Sequence, residues 1–401
     1  MVVHEIYLDN AATTYTDKRV VKEMEKYQSL DGVYGNPGSF NTIGLRAKNA
    51  LDDARSRMAK ILNCNPSEII FTGSGTESIN LALQGIARAY QNGKKKHIIT
   101  TKVEHKAVLE TCEYLETLGF NVCYLNVDEF GLISPEILKK AITDETLLVT
   151  IIYANNEIGS VNNIKELSRV CKEKKVLFHT DACQAGGYLD VDVKSLVVDL
   201  MTLNSSKVYG PKGVGLLYVR SGIPLKPIIF GGGQERGLRS GTENLAGIAG
   251  FVKALEICEE EKLKEVKRLT ELRDHLIKEL MSKVKKVMLN GHPTKRLCNN
   301  ANLSFIDVEG EAIMLMMNEV AGICASSGSA CTSKTLDPSH VILACGRPYE
   351  VAHGSIRFTL GRSTTRAEID KVIKVLPEII QRLRDISPVN LNMDEVLPIG
   401  K

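Results

Sequence analysis

Between residues 60 and 220 the chain alternates short, almost wholly apolar runs with longer stretches of helical periodicity, and this alternation narrows its fold more than any other feature. Glu68-Ile69-Ile70-Phe71 runs into a glycine turn, after which Glu77 to Ala89 has helical spacing. His97 to Thr101 reads as a strand and Lys106 to Leu118 as a helix. Val122 to Leu125, Leu147 to Tyr153, Val176 to His179, Val198 to Met201 and Gly215 to Val219 continue the series of strands. Strands alternating with helices build a mainly parallel sheet covered on both faces, an α/β fold. In such sheets ligands bind beyond the carboxyl ends of the strands. Polar motifs that follow a strand directly are therefore the place to look for function.

The character of the chain then changes. Ala246 to Val284 forms one long helical pattern, with Val266, Leu269, Leu272, Leu276 and Leu280 on one face. Glu260–Lys264 and Asp274–Lys278 are spaced for ion pairs on the opposite side, as in a solvated connecting helix. Beyond it come short strands at Ala301 to Ile306 and Ser355 to Thr359, a small-residue loop at 325–333 and an amphipathic helix near 366–384. A chain of 401 residues exceeds what one core usually serves, so two domains are expected. Residues 16–261 would form the larger one, and 1–15 with 262–401 a smaller α+β one.

Charge excludes some classes of partner. With 51 Lys and Arg against 48 Asp and Glu, the net charge of +3 leaves no electrostatic footprint for nucleic acid or an anionic membrane. The Lys94-Lys95-Lys96 run follows Gly93 and reads as a solvated turn entering a strand. The first residues lack the basic start and apolar core of a secretory signal. No apolar stretch approaches the ~20 residues of a membrane span. Ten cysteines occur without a CxxC pair, which argues against a zinc site and for reduced thiols. The expectation is a soluble cytoplasmic protein with no resident metal.

Five motifs carry chemistry. In Phe71-Thr-Gly-Ser-Gly-Thr-Glu-Ser78 a strand ends, a small-residue turn follows and a helix begins, offering free N–H groups and hydroxyls to a phosphate. By itself this is equally a well-capped helix, with Thr76 or Ser78 as the cap. Asp181, in His179-Thr-Asp-Ala-Cys-Gln184, closes a strand where a carboxylate could neutralise a cationic ring nitrogen, or simply cap a turn. Lys207, in Asn204-Ser-Ser-Lys-Val-Tyr-Gly210, closes a strand ahead of a glycine-rich turn and suits a Schiff-base lysine, although most lysines lie on the surface. Cys331 lies in Ala325-Ser-Ser-Gly-Ser-Ala-Cys-Thr-Ser333, where small neighbours suit an accessible thiol. Cys171 and Cys258 have the bulky surroundings of packing residues. Arg357 alternates with Ile356 and Phe358 on a strand and could hold a carboxylate, or make a surface ion pair.

Taken together these motifs resemble the cysteine desulfurases of the NifS/IscS family, which are pyridoxal-phosphate (PLP) enzymes of aminotransferase class-V type and fold type I. The resemblance runs through LDNAATT (8–14), GNPGS (35–39), TGSGTES (72–78), EHKAV (104–108), NNEIG (155–159), HTDACQA (179–185), SKVYGPKG (206–213), RSGTEN (239–244), SSGSACTS (326–333) and SIRFTLGR (355–362). Ten blocks in family order are far more specific than any one of them. SSGSACTS resembles the subgroup with the longer cysteine loop, linked to iron–sulfur assembly and tRNA thiolation.

The resemblance implies that Lys207 carries PLP, Asp181 faces the pyridinium nitrogen and His105 stacks on the ring. Gln184 and Asn156 would contact the ring's 3-oxygen region or the substrate, with Asn36 also near the substrate. Gly75, Thr76, Asn204 and Ser206 would form the phosphate cup, joined by Thr242 from the second subunit of a homodimer. Arg357 would bind the carboxylate of L-cysteine, and Cys331 would take its sulfur as a persulfide, leaving alanine. A scaffold protein or a tRNA-thiolating enzyme would receive that sulfur. The only metal role implied is that of Cys331 as a transient iron–sulfur ligand. Three positions depart from the family: Ser206 stands where His is usual, Asn204 where Ser is common, and Asn41 where GNPSSxH has His. The competing readings are a selenocysteine lyase, another fold-type-I PLP enzyme, or a non-catalytic homologue that binds a scaffold.

Overall fold

The computed structural model describes residues 5–327 and 338–391. In chain order its strands are β1 (Ile6–Tyr7), β2 (Ile69–Thr72), β3 (His97–Thr101), β4 (Asn121–Leu125), β5 (Thr146–Thr150), β6 (Leu177–Asp181), β7 (Leu200–Asn204), β8 (Gly215–Val219), β9 (Val287–Asn290), β10 (Asn300–Phe305), β11 (Ile323–Cys324) and β12 (Ser355–Thr359). Strands β2 to β8 form a seven-stranded sheet in the order β2-β8-β7-β6-β5-β3-β4. Every neighbouring pair from β7 to β4 is parallel, and β8 runs antiparallel to both β7 and β2. The chain is thus α/β with a mainly parallel sheet. The reversal of β8 follows from its connection: only residues 205–214 separate it from β7, whereas a parallel return needs a crossover of about a dozen residues or more.

The helix Gly75–Ala89 begins at Ser74, whose hydroxyl accepts from the Glu77 N–H at 3.1 Å, while the Glu77 carboxylate accepts from the Gly73 N–H. Neither Thr76 nor Ser78 is the cap. The Ser78 hydroxyl donates to the Ser74 carbonyl and meets the Thr72 hydroxyl at 2.6 Å. These reciprocal bonds hold the β2 turn so that its helix starts hard against the end of the sheet.

The long helix Leu245–Lys283 joins two bodies of apolar packing. Its first part, including Phe251, Val252 and Leu255, packs with the large sheet. Leu269, Leu272, Leu276 and Leu280 pack with Leu303, Phe305, Phe358 and Leu376. The second core also includes β9, β10 and β12, an antiparallel sheet in the order β12-β10-β9, and the helix Arg366–Ile386. Strand β1 pairs in parallel with β11 and brings the N-terminal segment into this region. Among the described residues the expected Glu260–Lys264 and Asp274–Lys278 pairs do not form. Asp274 is bonded to Arg273, and Glu259–Lys262 and Glu265–Arg268 pair at three-residue spacing instead. No helix of the described residues is long and apolar enough to cross a membrane.

Candidate active site

Because β8 is antiparallel to both its neighbours, β2 and β7 point the same way, and the carboxyl ends of β2, β3, β5, β6 and β7 share one edge of the sheet. That edge receives Gly75 after β2, His105 after β3, Asn156 after β5, Asp181 at the end of β6, and Asn204 and Lys207 at and after β7.

Lys207 closes a 3-10 turn, Ser205–Lys207. Its Nζ donates to the Ala11 carbonyl at 2.8 Å and the Ala12 carbonyl at 2.5 Å. Gln184 Nε2 donates to the same Ala11 oxygen at 2.9 Å, so Lys207 and Gln184 converge on one carbonyl. Buried Thr14 brackets the lysine: its N–H and hydroxyl donate to the Ser206 carbonyl, and its Oγ1 accepts from the Tyr209 N–H at 2.9 Å. Tyr209 sits at a φ of 63°, in the left-handed region that costs a non-glycine residue about 1–2 kcal/mol. The turn holding Lys207 is therefore fixed from both flanks.

Asp181 is buried, and its Oδ1 accepts from the Cys183 N–H at 2.9 Å. His105 Nδ1 accepts from the Ala107 N–H at 3.0 Å and caps the helix Lys106–Thr117, which leaves the ring proton on Nε2. Burial holds the imidazole below its ordinary pKa, with the Asp181 charge pulling it up and the Lys207 charge pushing it down. All three groups thus belong to one electrostatic site. Next to His105, Glu104 accepts from the Thr101 hydroxyl at 2.6 Å and the Ile152 N–H at 3.0 Å. Burial pushes its carboxyl up to about 8, so near neutral pH it adds little charge beside Asp181.

Gly75 has to be glycine for lack of space. A Cβ there would stand 2.8 Å from Cys183 Sγ and 3.3 Å from Asn204 Cβ. The first turn of its helix therefore lies directly on the Asp181 and Asn204 turns. The Cys183 thiol is pushed well up by burial and then by the Asp181 charge, so it stays protonated.

Arg357 makes no surface ion pair. It is 3% exposed, donating from Nη1 to the Asn156 carbonyl at 2.9 Å and from Nη2 to Asp9 Oδ1 at 2.8 Å. Its Nε, like the Ser326 hydroxyl, is buried without a hydrogen-bond partner among the described residues. The Arg357 N–H donates to the Ser326 carbonyl and the Ser326 N–H to the Arg357 carbonyl.

The other expected residues show no side-chain hydrogen bond to this group among the described residues. Thr76 and Thr242 are exposed, and so is Asn36, whose Oδ1 accepts from the Gly38 N–H within its own turn. Neither Asn36 nor Thr242 hydrogen-bonds to the Lys207 group among the described residues. Ser206 is half-buried and is held through its carbonyl. Asn41 caps the helix Thr42–Leu62 by accepting from the Gly44 N–H at 2.8 Å. Cys331 lies outside the described residues. The sequence reading gave no role to Asp9, Thr14, or the Ala11 and Ala12 carbonyls. A main-chain carbonyl has no residue identity to read, while Thr14 and Asp9 lie in LDNAATT, whose composition signals no particular chemistry.

The residues present fit PLP. Buried Asp181 suits a ring nitrogen and Lys207 an aldehyde carbon. The N-terminus of the helix that starts at Gly75, whose missing side chain lets it lie directly on the Asp181 and Asn204 turns, suits a phosphate.

Residues 6–372 match the aminotransferase class-V family. The cysteine desulfurase IscS of Methanosarcina thermophila is 48% identical over 384 residues, covering 96% of this chain and 94% of its own. That of Dictyoglomus turgidum is 49% identical over 384 residues, covering 96% of both. Among solved structures, a NifS-like protein matches with a TM-score of 0.88 at 38% identity, over 95% of this chain and 100% of its own. SspA, solved in complex with cysteine, matches with a TM-score of 0.77 at 35% identity, over 88% of this chain and 98% of its own.

Proposed function

The chain belongs to the class-V aminotransferases and, among them, to the cysteine desulfurases of the NifS/IscS family, and from that premise we propose that it converts L-cysteine to L-alanine with Cys331 as the residue that takes the sulfur. It is a PLP-dependent enzyme. The observation that carries the reading is the meeting of Lys207, Asp181 and His105 at the carboxyl edge of the parallel strands, with the Gly75 helix beside them.

When bound, PLP supplies an electron sink that stabilises negative charge developing on the substrate carbons. Asp181 would hold the ring nitrogen, with His105 stacked on the ring and Gln184 and Asn156 at the 3-oxygen or the substrate. The Gly75 N–H, the Thr76 and Ser206 hydroxyls and Asn204 would hold the phosphate, with Thr242 reaching in from a second copy of the chain. Thr242 is exposed, as that role requires. Arg357 would bind the substrate carboxylate, supported by the unpartnered Nε and by Asp9 and Asn156, which already fix the guanidinium plane. Asn36 would approach the same substrate.

Lys207 Nζ would take the proton from the substrate Cα and return protons to the carbon skeleton, steered by the Ala11 and Ala12 carbonyls. The Cys331 thiolate would attack the substrate sulfur. The new S–S bond forms as the Cβ–S bond breaks, and that bond's electron pair remains on Cβ, which is protonated on the way to alanine. Substrate and thiol thus become alanine and persulfide with no external oxidant. The sulfur would pass from Cys331 to a scaffold protein of iron–sulfur assembly or to a tRNA-thiolating enzyme, in the cytoplasm. In this reading residues 16–261 hold the cofactor, and 1–15 with 262–401 form the smaller domain that carries Cys331.

With L-cysteine and a reducing thiol the purified enzyme should release alanine and sulfide in equal amounts. Pyruvate and ammonia in place of alanine would contradict the proposal. A further expectation concerns Ser206: a His there would add a charge-assisted hydrogen bond worth about 1.5–3 kcal/mol to the phosphate. Ser206→His should therefore retain more PLP than the wild type after dialysis against cysteine. Equal retention would show that the rest of the cup suffices.

A further inference from the structure

Ser339 and His340 open the helix His340–Ala344 and follow, in sequence, the stretch that contains Cys331. Ser339 is 2% exposed and its hydroxyl bonds in two directions. It accepts from the Ile342 N–H at 3.2 Å, which is all that capping requires, and it also donates a hydrogen bond to Glu157 Oε2. His340 Nε2 lies 3.1 Å from the Glu104 carbonyl, and its Nδ1 lies 4.0 Å from Glu157 Oε1. A carbonyl can only accept, so Nε2 carries the proton.

Glu157 is built to be an anchor. Its side chain is buried, its N–H donates to Asn155 Oδ1 at 2.9 Å, and its carbonyl accepts from Asn300 and Asn302 Nδ2 at 3.2 and 3.0 Å. Every main-chain group is fixed, and the carboxylate faces Ser339 and His340. A carboxylate is costly to bury unless it is hydrogen-bonded or paired, and Ser339 and His340 face this one. In the chain Glu157 adjoins Asn156 and Glu104 adjoins His105, so both attachment points are immediate neighbours of proposed site residues. Val341 and Ile342 pack on Val103 and Ile158 and back the same joint. On the other side of the Cys331 stretch, Ser326 exchanges its main-chain hydrogen bonds with Arg357.

We infer that Ser339 and Glu157 are positioning residues for sulfur transfer: their hydrogen bond sets where the Cys331-bearing stretch joins the body of the protein. The inference rests on the reading that Cys331 accepts the sulfur. Transfer between two sulfur atoms needs near-attack geometry, and a displacement of about 1 Å can cost ~10²-fold in rate.

The test compares Ser339→Ala, Ser339→Thr, Glu157→Gln and Cys331→Ser as PLP-loaded enzymes. The readouts are PLP content, the absorbance change on adding L-cysteine, kcat and KM for alanine, and persulfide labelling of Cys331. Ser339→Ala and Glu157→Gln should keep PLP, the absorbance response and KM, with kcat and the labelling rate down by about tenfold or more. Ser339→Thr keeps the donor hydroxyl and should recover most of the loss. Wild-type kcat in Ser339→Ala, equal losses in Ser339→Ala and Ser339→Thr, or losses that track PLP content would each overturn the inference. The Cys331→Ser arm separates the two claims. Alanine formation at the wild-type rate there defeats the Cys331 reading itself, whereas an inactive Cys331→Ser beside a fully active Ser339→Ala defeats only the anchoring inference.

Discussion

Cys331→Ser should leave an enzyme that binds PLP and responds to L-cysteine yet forms no persulfide, with alanine production down on the order of 10³-fold or more. A serine hydroxyl is not ionised near neutral pH and has no capacity to receive sulfur. Eight of the nine other cysteines offer little rescue. Burial pushes Cys64, Cys112, Cys258, Cys298 and Cys345 up to about 12, and Cys171 is raised as well. Cys183 is held well above its usual value by burial and Asp181, and the Cys324 thiol is raised by burial and then by Glu5 and Asp9. Since the thiolate is the nucleophile, these groups are poorly armed near neutral pH. Quantifying alanine by amino-acid analysis in wild type and variant checks the expectation.

Lys207→Ala should abolish the covalent, borohydride-reducible attachment of PLP and lower turnover by a similar factor, on the order of 10³-fold or more. The fold should survive, because the turn is held by its main chain. Thr14 still bonds to the Ser206 carbonyl and accepts from the Tyr209 N–H. The bonds lost include those from Nζ to the Ala11 and Ala12 carbonyls, and the Ala11 oxygen still accepts from Gln184 Nε2. Borohydride reduction followed by peptide mapping, with the melting temperature as a control, tests this. Reducible PLP on another lysine would reassign the residue.

The apolar runs of the large sheet could be read because strands buried on both faces show little but apolar side chains. The direction of β8 could not, since Gly215 to Val219 is equally apolar whichever way the strand runs. Its direction is set by the length of the connection before it. Lys207 and Asp181 were visible as residues closing strands and His105 through the family resemblance, yet what fixes Lys207 was not, because two of its partners are carbonyls of alanines. Alternation placed Arg357 on one side of its strand without revealing that it is buried. Its burial arises from Asp9, 348 positions away, and from Asn156 across the sheet edge. The Ser339–Glu157 bond spans 182 positions and was invisible for the same reason. Asn41, which departs from a family histidine, is explained locally: asparagine is among the best N-caps, and it caps its helix here.

The most direct test of the central claim is the mass of the Cys331 peptide after a single turnover. The PLP-loaded enzyme is mixed with L-cysteine without a reductant, alkylated and digested, and the alanine is counted in the same sample. The Cys331 peptide should gain one sulfur atom for each alanine formed, with no gain in peptides containing the other cysteines. Alanine formed in step with added sulfur on a different cysteine, or with free sulfide and an unmodified Cys331, would contradict the account.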